Sequence, residues 1–535
     1  MATGSGAKTL ALSTGYEGNG DREEMTFNGP ITDVTGDSSP LSLQVTFNTR
    51  TASSSCVNLV AGGTFTGPIT LIRGNAVSWG YLVIGGRLAN VFFENNTFVS
   101  SPGSGQLDGG HYAGAISLDT NTILYYNSTA NQILSGGISG AGGLTMGGPG
   151  TLTVSGDNSY RGLTKIVAGA LSTNSIKNAN SGSSALGNPA TVADGTIHIG
   201  SGDAAGKLVY TGGAQETNRV INLAGSTGGA TIEQSGAGLL KFTSALTATG
   251  NGAKTLTLQG SSAGTGEIAG AIVNNSGTNK TSLIKAGIST WTLSGDNTYT
   301  GTTSVQEGRL VANHENALGG ALGGAVTVAG GGTLALGADI AEITTGPLTM
   351  QAGSVYESAI RSGTTADRVS VNGNLTLDSA WKLKLMDIGI EPTATQKYDL
   401  FTYSGIYTGP GSFGPANIDA GTTVWIVSDA TIVAGGGRVY ITGLSALVPG
   451  DTNSDGVVDA ADYITLKRNF GQSANSGPSY GDFNDSGATD WNDLQILMNA
   501  MNGGGTGGAS ATTPEPATLG LLAIGALAVL RRRRA

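Results

Sequence analysis

Two twelve-residue stretches concentrate the side chains whose types and spacing could do chemistry. In the first, Asp451, Asn453, Asp455, Asp459 and Asp462 stand at positions 1, 3, 5, 9 and 12, with Gly456 at 6 and the carbonyl of Val457 at 7. In the second, Asp482, Asn484, Ser486, Asp490 and Asp493 fill the same places, with Gly487 at 6 and Ala488 at 7. Oxygen ligands at this spacing around a sharp glycine turn suit a hard cation of calcium size. The second site is expected to be weaker, because Ser486 replaces a carboxylate.

Each loop runs into apolar residues at helical spacing: Tyr463, Leu466 and Phe470 with Ile464, then Leu494, Leu497, Met498 and Met501. The paired loops end in Asp rather than Glu, and each is followed by one helix. Residues 449–502 therefore resemble a type I dockerin, an EF-hand-like module, and the resemblance implies two Ca²⁺ ions. In that family loop positions 10 and 11 help choose a cohesin partner. Here they are Ala460-Ala461 and Trp491-Asn492, unlike each other and unlike the common Ser-Thr pair. Leu466-Lys467-Arg468 keeps the family pattern and Leu497-Met498-Asn499 departs from it, which counts against a cohesin.

Catalytic groupings are sparse elsewhere. The chain contains no Asp-Asp pair, and His111, His198 and His314 are far apart and outside any H-E-x-x-H pattern; each reads as a surface or turn histidine. Gly260-Ser261-Ser262-Ala263-Gly264 spells G-x-S-x-G but lacks the strand-to-helix context of a nucleophile elbow. Gly409-Pro410-Gly411-Ser412-Phe413-Gly414 spells G-x-G-x-x-G with no helix after it, and reads as a turn.

The elements that carry these sites announce themselves by repetition. Thr290-Trp291-Thr292-Leu293-Ser294-Gly295-Asp296-Asn297-Thr298-Tyr299-Thr300-Gly301 restates Thr151-Leu152-Thr153-Val154-Ser155-Gly156-Asp157-Asn158-Ser159-Tyr160-Arg161-Gly162 about 140 residues earlier. Alternating apolar residues followed by Gly-Asp-Asn predict strand, turn, strand. The Asp-Asn pairs are expected to satisfy their own turn backbone. Gly252 to Leu258 nearly restates Gly6 to Leu12, so the repeat is already under way at the start.

Composition agrees with a long repeated β-structure. There are 89 Gly among 535 residues, with only 6% aromatic and 12% charged side chains. Glycine supplies corners, while recurring Thr-Leu-Thr-Leu alternation argues against disorder. The net charge of −10, about −14 without the last four arginines, excludes a nucleic-acid partner. Cys56 stands alone, so no intramolecular disulfide can form.

The repeated phrase, closing on Glu307-Gly308-Arg309-Leu310, resembles the autotransporter-associated repeat of passenger-type β-helices, with clear copies near 142–171 and 287–310. The resemblance implies an all-β body over 1–445, a long right-handed parallel β-helix, with passenger-like closing rungs over 326–445. Residues 503–513 read as a Gly-rich linker. Pro514-Glu515-Pro516, the apolar run Leu519 to Leu530 and Arg531, Arg532, Arg533 and Arg534 resemble a PEP-CTERM sorting segment, 514–535, recognised by an exosortase. The apolar run is short for a spanning helix, so a transient C-terminal membrane anchor is expected, with an ordinary tail anchor as the alternative. An exported chain calls for a leader, which places the true start upstream of Met1 or at a different start.

These readings converge on an exported cell-surface or extracellular protein, structural or adhesin-like, without catalysis, with extracellular polysaccharide as a conceivable ligand. The rival is a polysaccharide-active hydrolase or lyase carried by the dockerin.

Overall fold

The computed structural model describes residues 8–14, 24–33, 40–48, 54–74, 79–89, 99–261, 264–338, 340–362, 365–386, 388, 392, 395–419, 425–427, 430–446, 448–453, 457–472, 480–483 and 486–502. By contacts the chain divides into two units, Met1–Ser445 and Ala446–Ala535.

The first unit is β throughout, apart from short 3-10 turns. Its strands are short because alternation lasts only a few residues before a glycine or polar corner. In Thr290–Leu293 the side chains of Trp291 and Leu293 are fully buried and those of the threonines half exposed. Three large sheets are parallel but for one short strand. Thirteen strands run from His111–Tyr112 to Tyr407–Thr408, nine from Glu24–Phe27 to Thr247–Ala248, and nine strands of a ten-stranded sheet from Gln215–Thr217 to Ile418–Asp419, its tenth, Thr365–Ala366, pairing antiparallel with Val355–Ser362.

The chain visits these sheets in rotation. Gly206–Tyr210 belongs to the thirteen-stranded sheet, Gln215–Thr217 to the ten-stranded and Ile221–Gly225 to the nine-stranded. Ala230–Gln234 then returns to lie beside Gly206–Tyr210, Leu208 opposite Ile232. In-register parallel pairing puts like on like: Leu152, Leu171, Leu208, Ile232 and Leu258 form one inward column. Fully burying each such side chain contributes about 1.5–3 kcal/mol. The next member of that column is Lys285, itself wholly buried. Its ammonium donates to the carbonyls of Ala286 (2.9 Å), Gly287 (2.5 Å) and Glu307 (2.9 Å).

Parallel pairing ends where Tyr398–Tyr403 meets Arg438–Thr442 antiparallel, followed by Thr431–Gly435 and Ser412–Phe413. Thus Ser412 and Phe413, expected within a turn, form a short strand, because Phe413 finds a buried place against the ring of Trp381.

The repeated Asp-Asn corner departs from expectation. Asn297 is buried, its Oδ1 accepts from the amide of Ile272 at 2.8 Å, and its Nδ2 donates to the carbonyl of Ala317 at 2.6 Å. Asn158 does the same between Ile138 and Ala185, both at 2.7 Å. These asparagines bond to segments 20 to 27 residues away, not to their own turn. The accepting carbonyls open an Ala-Leu-Gly triplet in both copies, 185–187 and 317–319. Gly187 and Gly319 sit at φ +77° and +85°, where a Cβ would lie 2.4 and 2.3 Å from the carbonyl oxygens of Tyr160 and Tyr299.

Replacing Asn297 with alanine leaves a buried amide and a buried carbonyl unpaired, a loss of about 2–6 kcal/mol at about 1–3 kcal/mol for each group. Asp296→Ala should cost far less, since that side chain is largely exposed, holding Asn316 at 2.9 Å and lying 3.9 Å from His314. Urea denaturation of the two variants checks the contrast.

Candidate functional site

In the second unit, helix α1 (Ala460–Asn469) starts on Asp459, whose Oδ1 accepts from the amide of Ala461 at 2.7 Å. Helix α2 (Trp491–Asn502) starts after Asp490, which accepts from Asn492 at 2.8 Å. An acidic cap and an acidic first turn favour both helix starts. Leu466, Leu494 and Leu497 form the small core, with Val458, Tyr463, Phe470 and Phe483 packed on it. Ile464, Met498 and Met501 do not join it and are exposed, because ten- and twelve-residue helices bury only a narrow stripe here.

Asp462 and Asp493, the twelfth residues of their loops, close them identically. Asp462 accepts from the amides of Thr452 (2.7 Å), Asn453 (3.3 Å) and Asp459 (2.8 Å) and from the Thr452 hydroxyl (2.9 Å). Asp493 accepts from the amides of Phe483 and Asp490, both at 2.8 Å. Asp482 takes the amides of Ser486 and Gly487, both at 3.0 Å. The Ser486 hydroxyl donates to the carbonyl of Ala488 at 3.1 Å, so two expected ligands of the second loop meet each other. Asp451, Asp462, Asp482 and Asp493 are buried, whereas Asn453, Val457 and Asp459 are exposed. Asp455 and Asn484 lie outside the described residues, as do Pro514, Glu515, Pro516 and Arg531 to Arg534.

Among the described residues no three acidic, histidine or cysteine side chains converge as a metal site. The chemistry of the donor set nonetheless fits one. Asp462 and Asp482 are fully buried and receive only amide and hydroxyl donors, and a carboxylate taken out of water calls for a positive charge.

Elsewhere, three strand glutamates are answered by bases one or two strands away. Glu357 holds Arg309 at 2.5 Å and Lys384 at 3.2 Å, Glu267 holds Lys241 at 3.1 Å, and Glu233 holds Lys207 at 3.2 Å. Arg361 is paired with buried Asp367. Among the described residues no helix is long and apolar enough to cross a membrane.

Of the histidines, His111 is exposed in a two-residue strand with Nε2 2.9 Å from Ser135 Oγ, and His314 lies 3.9 Å from Asp296. His198 is not in a turn: it lies half-buried within strand Ile197–Gly202, beside Lys165 and Asn222, with Nδ1 2.9 Å from Asn222 Nδ2. Ser262 of the G-x-S-x-G spelling lies outside the described residues. The Asn158 and Asn297 staples were missed by sequence reasoning, although the recurring Ala-Leu-Gly triplet was a signal for them.

Residues 144–172 and 283–312 match the family described as Passenger-associated-transport-repeat. Residues 449–502 match the Dockerin type I domain, and residues 512–534 the PEP-CTERM protein-sorting motif. The three resemblances read from the sequence are thereby borne out. The chain is also 36% identical over 188 residues to the protein named Adhesin BmaC autotransporter of Brucella suis biovar 1 (strain 1330). That match covers 34% of this chain and 5% of the relative, so the chain spans only a small fraction of the relative's length.

Burial, reinforced by Lys165, pushes His198 down to about 4. The unfolded chain takes up the proton near pH 6.5 and the folded chain does not. Stability from this residue is therefore complete above about pH 6.5 and falls as pH drops toward 4. His198→Asn should flatten that part of the stability profile in urea titrations between pH 4 and 7.

Proposed function

We propose that this chain is an exported surface protein of structural or adhesive role. Its body, residues 1–445, is a right-handed parallel β-helix, closed by the less repetitive strands of 326–445. Residues 449–502 bind two Ca²⁺ ions, the second more weakly. The linker 503–513 leads to 514–535, which an exosortase-type enzyme reads through Pro514, Glu515 and Pro516 while the apolar run and Arg531 to Arg534 hold it transiently at the membrane. The observation that supports this most is the in-register parallel stacking around a continuous apolar interior, which leaves outer faces to meet other surfaces. The passenger repeats and the partial likeness to an adhesin support the same reading.

Catalysis is not part of the proposal. The acids Glu233, Glu267 and Glu357 are engaged by Lys207, Lys241 and Arg309 with Lys384, an arrangement that serves cohesion between strands rather than proton transfer. Nor is a cohesin, although the dockerin match implies one as the module's class of partner: Ala460, Ala461, Trp491 and Asn492 depart from the usual contact pattern.

In the first loop Asp451, Asn453, Asp455, the Val457 carbonyl, Asp459 and Asp462 would hold the ion; in the second, Asp482, Asn484, Ser486, the Ala488 carbonyl, Asp490 and Asp493. A bound ion supplies the positive charge that the buried carboxylates require. Free Ca²⁺ at a hundredfold over Kd adds about 2.7 kcal/mol to the stability of the module. Calorimetry of the full chain should show one transition moving upward when Ca²⁺ replaces chelator, with Asp462→Ala abolishing most of the shift. A melting profile indifferent to Ca²⁺ would remove the metal from the proposal.

Delivery is tested in a host carrying an exosortase. Protease added to intact cells should digest the wild-type body. Replacing Pro514, Glu515 and Pro516 with alanine should leave a full-length chain that is not processed. Equal processing of both would overturn the sorting role.

A further inference from the structure

The last five strands of the thirteen-stranded sheet differ in outward chemistry from its earlier strands, where Lys207 pairs with Glu233, and from the ten-stranded sheet. On five successive strands the central outward residues are Ser304, Thr327, Thr349, Thr376 and Thr408, in direct register. Among the described residues none of these five hydroxyls bonds to the protein. They stand in line at the strand spacing of about 4.8 Å.

The residues just before these strands continue the ladder. The carbonyls of Ala325, Pro347, Asn374 and Ile406 each accept from the first amide of the preceding strand, at 3.0, 2.7, 3.0 and 3.0 Å. All four side chains are exposed, so Ala325, Pro347 and Ile406, with Asn374 between the last two, set a largely apolar column beside the hydroxyl column. The residues immediately before and after the five strands are uncharged except Asp378. On the ten-stranded sheet, by contrast, Glu267 with Lys241 and Glu357 with Arg309 and Lys384 carry the cross-strand charges.

We infer that this face, on strands Thr303–Val305, Val326–Val328, Leu348–Met350, Leu375–Leu377 and Tyr407–Thr408, docks an extended neutral polysaccharide lying across the strands. The inference rests on the surface-protein reading and names the class of ligand. A charged polymer would need countercharges, which this face lacks in a chain of net charge −10. A sugar polymer presents hydroxyls and C–H faces along its length, which are the two chemistries that the hydroxyl and apolar columns offer. Each hydroxyl contributes little by itself, and a repeating ligand on a repeating face accumulates the contacts.

The test is co-sedimentation of the full chain with microcrystalline cellulose, with chitin and with polygalacturonate-coated beads. At least one neutral polymer should pellet the wild-type chain. A triple variant, Thr327→Val, Thr349→Val and Thr376→Val, should bind at least tenfold more weakly, since valine keeps the strand preference and removes the hydroxyl. Thr349→Glu, which sets a charge at the centre, should do the same, with circular dichroism confirming the fold of each variant. Thr333→Val, half exposed on the ten-stranded sheet, should leave binding unchanged. Failure of every neutral polymer to bind, capture by polygalacturonate alone, or binding indifferent to both face variants would overturn the inference. A wild-type dimer that Thr349→Glu dissociates would overturn it too, by assigning the face to a second copy. Polymer binding that survives the variants would keep the adhesive reading while sinking this face, and loss of surface delivery would sink the surface-protein reading alone.

Discussion

In-register parallel stacking imposes one demand on everything else: each pass of the chain leaves polar backbone groups at its corners, and the neighbouring pass must answer them. Unpaired, each such group would cost about as much as a hydrogen bond is worth. The buried polar residues of this body are the answers. Gln132 takes the amide of Leu107, Gln234 takes the amide of Gly236 and donates to Gly238, and Asn158 and Asn297 clamp three segments each. Buried Arg219 gives its guanidinium to the carbonyls of Lys177, Leu186 and Gly187. Lys254 and Lys285 likewise spend their ammonium groups on corner carbonyls.

That demand also explains the economy of the exterior. With the interior filled by stacked apolar columns and the corners closed by polar staples, outward residues are free to vary by sheet. On the ten-stranded sheet Lys241 lies opposite Glu267 and Glu357 opposite Lys384, which ties those passes together. Along the later strands of the thirteen-stranded sheet the outward residues are hydroxyls and small apolar residues.

Much of this was legible in the residues. Alternation marked Thr290–Leu293 as a strand, the repeated Gly-Asp-Asn phrase marked its corner, and ligand spacing marked the two acidic loops. What escaped reading depends on register between segments distant in sequence. Nothing local tells that Lys285 occupies the inward column of Leu258 and Val305, or that Asn158 reaches Ala185. The run Tyr81 to Ile84 lacks alternation because it is buried on both faces: Leu82 and Ile84 join the main core, and Tyr81 and Val83 a second cluster with Leu88, Ile123 and Tyr125. The helices erred the other way, since Met498 and Met501 fit the period but have nothing to pack on.

The two strong repeats stand where a corner needs an asparagine staple, and their divergence elsewhere follows from the same geometry. In the second copy Ala317 comes 20 residues after Asn297; in the first, Ala185 comes 27 residues after Asn158. The contact is kept while the path between its ends lengthens. The longer path is held by Arg219, which reaches 32 to 42 residues back to Lys177, Leu186 and Gly187. In the first copy the extra residues between staple and triplet are accommodated because a buried cation satisfies carbonyls along and at the end of that path. What the two near-identical phrases share is the corner contact, not a fixed spacing to its partner.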